Sequence, residues 1–116
     1  MNAAAAVAAL GALANEHRLA VFRLLVEAGP DGLSAGEIAG QVGLVPSSLT
    51  FHTQALQRAG LISQRRVSRQ LIYAADFKSM NSLVAYLTEN CCGSEPDCGP
   101  TCVPRTAKPK TSRRRT

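Results

Sequence analysis

Apolar positions recur with a helical period through the first half of this chain, then alternate over a short stretch. The helical period returns before a cysteine-rich end. From Ala3 to Ala14 the chain is alanine-rich, with Val7, Leu10 and Leu13 at helical spacing, which predicts a first helix of high intrinsic propensity. Asn15 supplies an N-cap for a second helix over Glu16 to Ala28. Leu19, Val21, Phe22, Leu24, Leu25 and Val26 make that helix apolar around most of its circumference, the mark of a central core helix. Gly29, Pro30, Asp31 and Gly32 end it with turn chemistry.

Ser34 and Glu37 form the capping-box pattern S-x-x-E for a third helix that buries Ile38, Ala39 and Val42 and stops at Gly43. Pro46 with Ser47 or Ser48 opens a fourth helix reaching about Ala59, ended by Gly60. Its inner face carries Leu49, Thr53, Leu56 and Ala59. Its outer face carries Ser47, Ser48, Thr50, Phe51, Gln54 and Arg58. Small hydroxyls, an amide and few charges suit a helix lying in a DNA major groove, where they reach base edges and phosphates. Taken singly, these residues describe an ordinary solvated face; the turn before them and the strands after them favour the DNA reading. His52, at the inner boundary, is expected to be a hydrogen-bonded structural residue rather than a metal ligand.

Leu61 to Arg66 and Gln70 to Ala75 alternate apolar and polar residues, predicting two strands joined through Val67, Ser68 and Arg69. Arg65, Arg66 and Arg69 crowd that hairpin, where they would contact phosphates. Asp76 caps a last helix, Phe77 to Asn90, striped by Met80, Leu83, Val84 and Leu87. Paired with the apolar first helix, whose Val7, Leu10 and Leu13 need a partner, that stripe suits a two-fold interface; packing within its own subunit is the alternative. The expected fold is mainly α: a winged helix-turn-helix of about five helices with a two-stranded β-hairpin wing, working as a homodimer.

Charge changes this picture little. The chain of 116 residues has a formal net charge of +5, but six of its 13 basic residues lie in the tail from Val103, which holds no acid. The rest of the chain has seven basic residues against eight acidic ones, so the DNA reading depends on local placement rather than bulk charge. No stretch approaches the roughly 20 apolar residues of a membrane span. The alanine-rich start also lacks a preceding basic segment, so the expected location is cytoplasmic, with no membrane partner. Neither His17 nor His52 has an evident carboxylate partner, and no nucleophile, base and orienting group fall at related positions, so an enzyme is not expected.

The four cysteines gather in NCCGSEPDCGPTC, as Cys91, Cys92, Cys98 and Cys102. Adjacent thiols followed by a Gly- and Pro-containing loop let three sulfurs converge, and soft thiolates select thiophilic ions. As(III), or Sb(III), bound by a pyramid of Cys91, Cys92 and Cys98 fits, which leaves Cys102 as a spare thiol and a secondary candidate ligand. Zinc would take all four in a tetrahedron, for which adjacent cysteines are an awkward pair. A reversible thiol-redox group and an inert tail are the other readings.

The segments LANEHRLAVFRLLVEAG, VPSSLTFHTQALQRAGLI and RRVSRQLIY resemble the ArsR/SmtB family of winged-helix metalloregulatory repressors, over residues from about 10 to 90. The ending LVAYLTENCC, with a third cysteine after five intervening residues, looks like the arsenite-responsive members whose site lies beyond the last helix. The cysteine box that other members carry in the third helix is missing, as are the His and carboxylate pairs of zinc sensors on the last helix. The resemblance implies a homodimer formed through the first and last helices, with the fourth helix of each subunit in successive major grooves of a palindromic double-stranded operator. It implies an arsenite-responsive repressor, with As(III) as inducer, no organic cofactor, and release from DNA when the cysteines bind. A thiol-redox or zinc/cadmium-responsive repressor is the alternative. The expected division is a DNA-binding and dimerisation domain over 1–90, a metalloid-binding segment over 91–102 and a basic disordered tail over 103–116.

Overall fold

The computed structural model describes residues 1–91. Five helices and three strands follow in the order α1 (Ala3–Leu13), α2 (Glu16–Ala28), β1 (Leu33–Ser34), α3 (Ala35–Val42), α4 (Pro46–Arg58), β2 (Ile62–Val67), β3 (Gln70–Ala75) and α5 (Phe77–Thr88). Met1–Leu83 makes one compact unit, and a second begins at Val84.

Local chemistry sets the helix limits. The Asn2 side chain accepts from the Ala5 amide, and the Asn15 side chain accepts from the amides of His17 and Arg18. The expected capping box is complete: the Ser34 hydroxyl accepts from the Glu37 amide at 3.1 Å, and the Glu37 carboxylate accepts from the Ser34 amide at 2.8 Å. The Ser34 amide bond to the Glu37 carboxylate, and after it the Ser34 hydroxyl beside that carboxylate, lower the Glu37 pKa from its usual value. Gly43, with φ 72° and ψ 35°, caps the far end of α3, and the Ala39 carbonyl accepts from both Gly43 and Leu44 amides. That left-handed residue turns the chain from α3 into α4. Pro46 stands at the start of α4, where its missing N–H is no loss.

The core is aliphatic. Val21, Phe22 and Leu25 of α2, Ile38 of α3, Leu49 and Leu56 of α4, Leu61, Ile62 and Tyr73 are buried together with Thr53. Helix α1 joins the rest through Ala6 and Ala9, which are buried, while Val7 (68% exposed) and Leu10 (42% exposed) face outward. Leu19, expected in the core, is 44% exposed, because α2 buries the stripe of Val21, Phe22 and Leu25 instead.

The sheet is antiparallel, in the order β1-β3-β2. Strand β1 was not legible in the sequence: it is two residues long and exists only because Leu33 and Ser34 pair with Tyr73 and Ile72. The second strand of the hairpin lies where expected, and the first begins and ends one residue later than expected. Val67 pairs with Gln70, leaving a two-residue turn of Ser68 and Arg69, and Leu61 becomes a buried connector whose amide bonds the Leu56 carbonyl. Ser68 adopts φ 57°, the left-handed conformation such a turn needs. Asp76 caps α5, accepting from the Ser79 amide at 3.0 Å. In the first unit Leu83 is buried and Met80 half-buried. In the second, Val84 and Leu87 are 43% and 57% exposed.

Candidate nucleic-acid interface

Packing fixes which side of α4 is free. Leu49, Thr53 and Leu56 are at most 2% exposed, so the opposite side must face out. On it Ser47, Thr50, Phe51, Gln54 and Arg58 are exposed and Ser48 is half-buried. The Thr50 hydroxyl donates to the Pro46 carbonyl at 3.0 Å, which turns its remaining lone pairs outward as an acceptor. Phe51 is 61% exposed, a large apolar surface on an otherwise polar face. In a groove, such a ring is suited to a thymine methyl, and Gln54 to an adenine edge.

His52 departs from expectation. It is only 8% exposed, yet among the described residues its Nδ1 has no hydrogen-bond partner. Its neighbours are rings: Phe51 edge-on with centroids 5.4 Å apart, and His17 at 5.5 Å. Burial, then the Arg18 charge, then His17 lower its pKa below 6.5, so the ring is held neutral.

The wing arginines separate by register. Side chains alternate faces along a strand, so Gln64 and Arg66 share one face of β2, and Ser63 and Arg65 the other. The Gln64 side chain meets that of Gln57 on α4 at 2.9 Å, which identifies its face as the one turned to α4. The Arg65 guanidinium instead donates to the Asp31 carbonyl at 2.9 Å, tying the wing to the α2–β1 turn. Arg66 and Arg69 are exposed, Arg69 within the hairpin turn. The Gln57–Gln64 clip was missed in the sequence, since only the strand register brings the two residues together.

Of the expected cysteine site, Cys91 is half-buried just past α5. Cys92, Cys98 and Cys102 lie outside the described residues, as does the basic tail. Among the described residues no three His, Cys, Asp or Glu side chains converge to hold a metal ion. None of their helices is long and apolar enough to cross a membrane.

The α3–turn–α4 pair with a hairpin behind it defines a winged helix-turn-helix. Residues 13–65 match the model of a helix-turn-helix domain family. The transcriptional activator HlyU of Vibrio cholerae is 31% identical over 86 residues, which span 74% of this chain and 77% of that protein. The HTH-type transcriptional regulator YgaV of Escherichia coli is 30% identical over 91 residues, spanning 78% and 90% of the two. Among solved structures, an ArsR-like transcriptional regulator from Rhodococcus superposes with a TM-score of 0.64 at 26% identity, covering 72% of this chain and 76% of that one. The chain belongs to the ArsR-type winged-helix transcriptional regulators. It is a regulator of transcription, not an enzyme.

Proposed function

We propose that the protein is an arsenite-responsive repressor that binds a palindromic operator as a homodimer and leaves it when As(III) binds Cys91, Cys92 and Cys98. The DNA half of this reading is carried by the outer face of α4, where Thr50, Phe51, Gln54 and Arg58 project from a helix pinned by its buried side. The dimer half draws on the exposed Val7 and Leu10 of α1 and Val84 and Leu87 of α5, apolar side chains that a second subunit would cover.

The inducer half draws on the chemistry of the donor set. Thiolates favour trivalent arsenic or antimony, and Cys91 follows the last turn of α5. Closing a thiolate site there would move the end of α5 and change the spacing of the two reading helices. A coupling of about 1 to 3 kcal/mol between inducer and operator suffices for release. A thiol-redox reading is favoured by one observation, the similarity to HlyU, one of whose solved forms is described as reduced.

The test begins with an operator selected from a random duplex pool. Under anaerobic reducing conditions arsenite should release the protein, measured by fluorescence anisotropy. The double variant Cys91→Ser, Cys92→Ser should bind the operator and stay bound. Release of that variant by arsenite would refute the site, and release of the unaltered chain by oxidant alone would favour the redox reading.

A further inference from the structure

A cleft of about 320 Å³ opens between α1, α2 and α4, in a size range that takes a small molecule. Its chemistry is two-sided. Alanine methyls from α1 and from α4 and its C-cap and the exposed ring of Phe51 make the apolar walls, while Arg18 and Arg58 supply two guanidinium groups; among the described residues no acidic side chain lines it. Arg18 is held in place, its Nε donating to the Ala12 carbonyl at 2.7 Å and leaving the terminal Nη groups of the fork available. Just behind Phe51 the buried His52 ring carries an unpartnered Nδ1 and feels the Arg18 charge. Among the described residues, this corner therefore sets two positive charges beside an apolar wall with no carboxylate lining the cleft.

We infer that the cleft binds a small amphipathic carboxylate, its anionic end on Arg18 and Arg58 and its flat apolar body against Phe51 and the alanines. A guanidinium fork matches a carboxylate, and a charge-assisted bond at a partly enclosed site gives the orientation that the apolar walls alone would not. A DNA phosphate would satisfy the two arginines but would leave the methyls and the ring without a partner. Phe51 and Arg58 belong at once to this cleft and to the outer face of α4. An occupied cleft would therefore hinder DNA reading without any cysteine; that consequence rests on the proposed function, whereas the binding does not.

The test uses the full-length reduced chain without DNA and titrates 2-naphthoate by calorimetry and by amide NMR, with inorganic phosphate in a parallel arm. Saturable binding of one naphthoate per subunit is expected, with the largest shifts at Ala12, Arg18, Phe51 and Ala55. Arg18→Gln and Arg58→Gln should each weaken it about tenfold, the scale of one charge-assisted hydrogen bond. Ala55→Leu, which fills the cleft and keeps a strong helix former in α4, should abolish it, and Lys78→Gln, outside the cleft, should leave it unchanged. Circular dichroism confirms that each variant is folded. Phosphate binding as tight as naphthoate, shifts centred on Val7 and Leu10 instead, or full binding by Ala55→Leu would overturn the assignment.

Discussion

The register of the wing makes a quantitative claim about salt. Arg66 shares a strand face with Gln64, which is bonded to α4, whereas the Arg65 guanidinium is bonded to the Asp31 carbonyl on the other side. Replacing Arg66 by Gln should therefore remove one phosphate contact per subunit, and replacing Arg65 by Gln should remove none. Each neutralised phosphate adds about 0.9 to the slope of log affinity against log salt, so a dimer lacking Arg66 should lose about 1.8 from that slope. Between about 50 and 200 mM salt, the unaltered protein should then lose about tenfold more affinity than the Arg66 variant. Arg65→Gln should keep the full slope and lower folding stability by no more than about 1 kcal/mol, since its bond is solvent-exposed. Fluorescence anisotropy on the operator across that salt range reads both. An equal flattening by the two substitutions, or none by Arg66→Gln, would refute the division of the wing into two faces.

Other expectations concern the scaffold behind the interface. Gly32 has φ 72°, and a Cβ there would strike the Tyr73 carbonyl, so Gly32→Ala should cost at least about 2 kcal/mol in chemical unfolding. Gly43 has the same φ with open space around it, and Gly43→Ala should cost only about 1 kcal/mol; equal losses would contradict the close approach of Gly32 to the Tyr73 backbone. Ser34→Ala removes the hydroxyl that caps α3 and should lower stability by about 1 kcal/mol, a loss that an unchanged urea midpoint would exclude. His52 has a folded pKa below its usual 6.5, so the unfolded chain binds its proton first as pH falls. Its contribution to stability is complete above about pH 6.5 and fades as pH drops from there toward the lowered folded value. Urea unfolding at about pH 7.5 and pH 5.5 should show that loss, His52→Gln should reduce it, and an identical pH response in the variant would place its origin elsewhere.

What could be read from the sequence was whatever depends on neighbours along the chain. The capping box of Ser34 and Glu37, the Asn15 cap, the Gly43 turn and the division of α4 into two faces all follow from spacings of a few residues, and all five helices lie where those spacings put them. What escaped depends on partners distant in sequence. The two-residue β1 has no periodicity of its own, and the later start of β2 goes with the burial of Leu61, whose amide bonds the Leu56 carbonyl at the end of α4 and whose carbonyl accepts from the Asp76 amide. The same distance hid the site details: the Arg65 bond to Asp31 spans 34 residues, and Arg18 meets α4 only because α1 and α2 fold against it. His52 was expected to find a hydrogen bond, but among the described residues its buried Nδ1 has no partner, and the ring lies beside those of Phe51 and His17.

Whether α4 reads bases is tested most directly by selecting sequences from a random duplex pool with the unaltered protein and with Gln54→Ala. The unaltered protein should enrich two inverted half-sites about one helical turn apart, and Gln54→Ala should relax the preference at one matching position in each half-site. Enrichment of an identical motif by the two proteins would contradict a base-reading role for Gln54, and the absence of any motif would contradict a groove-reading role for the outer face of α4.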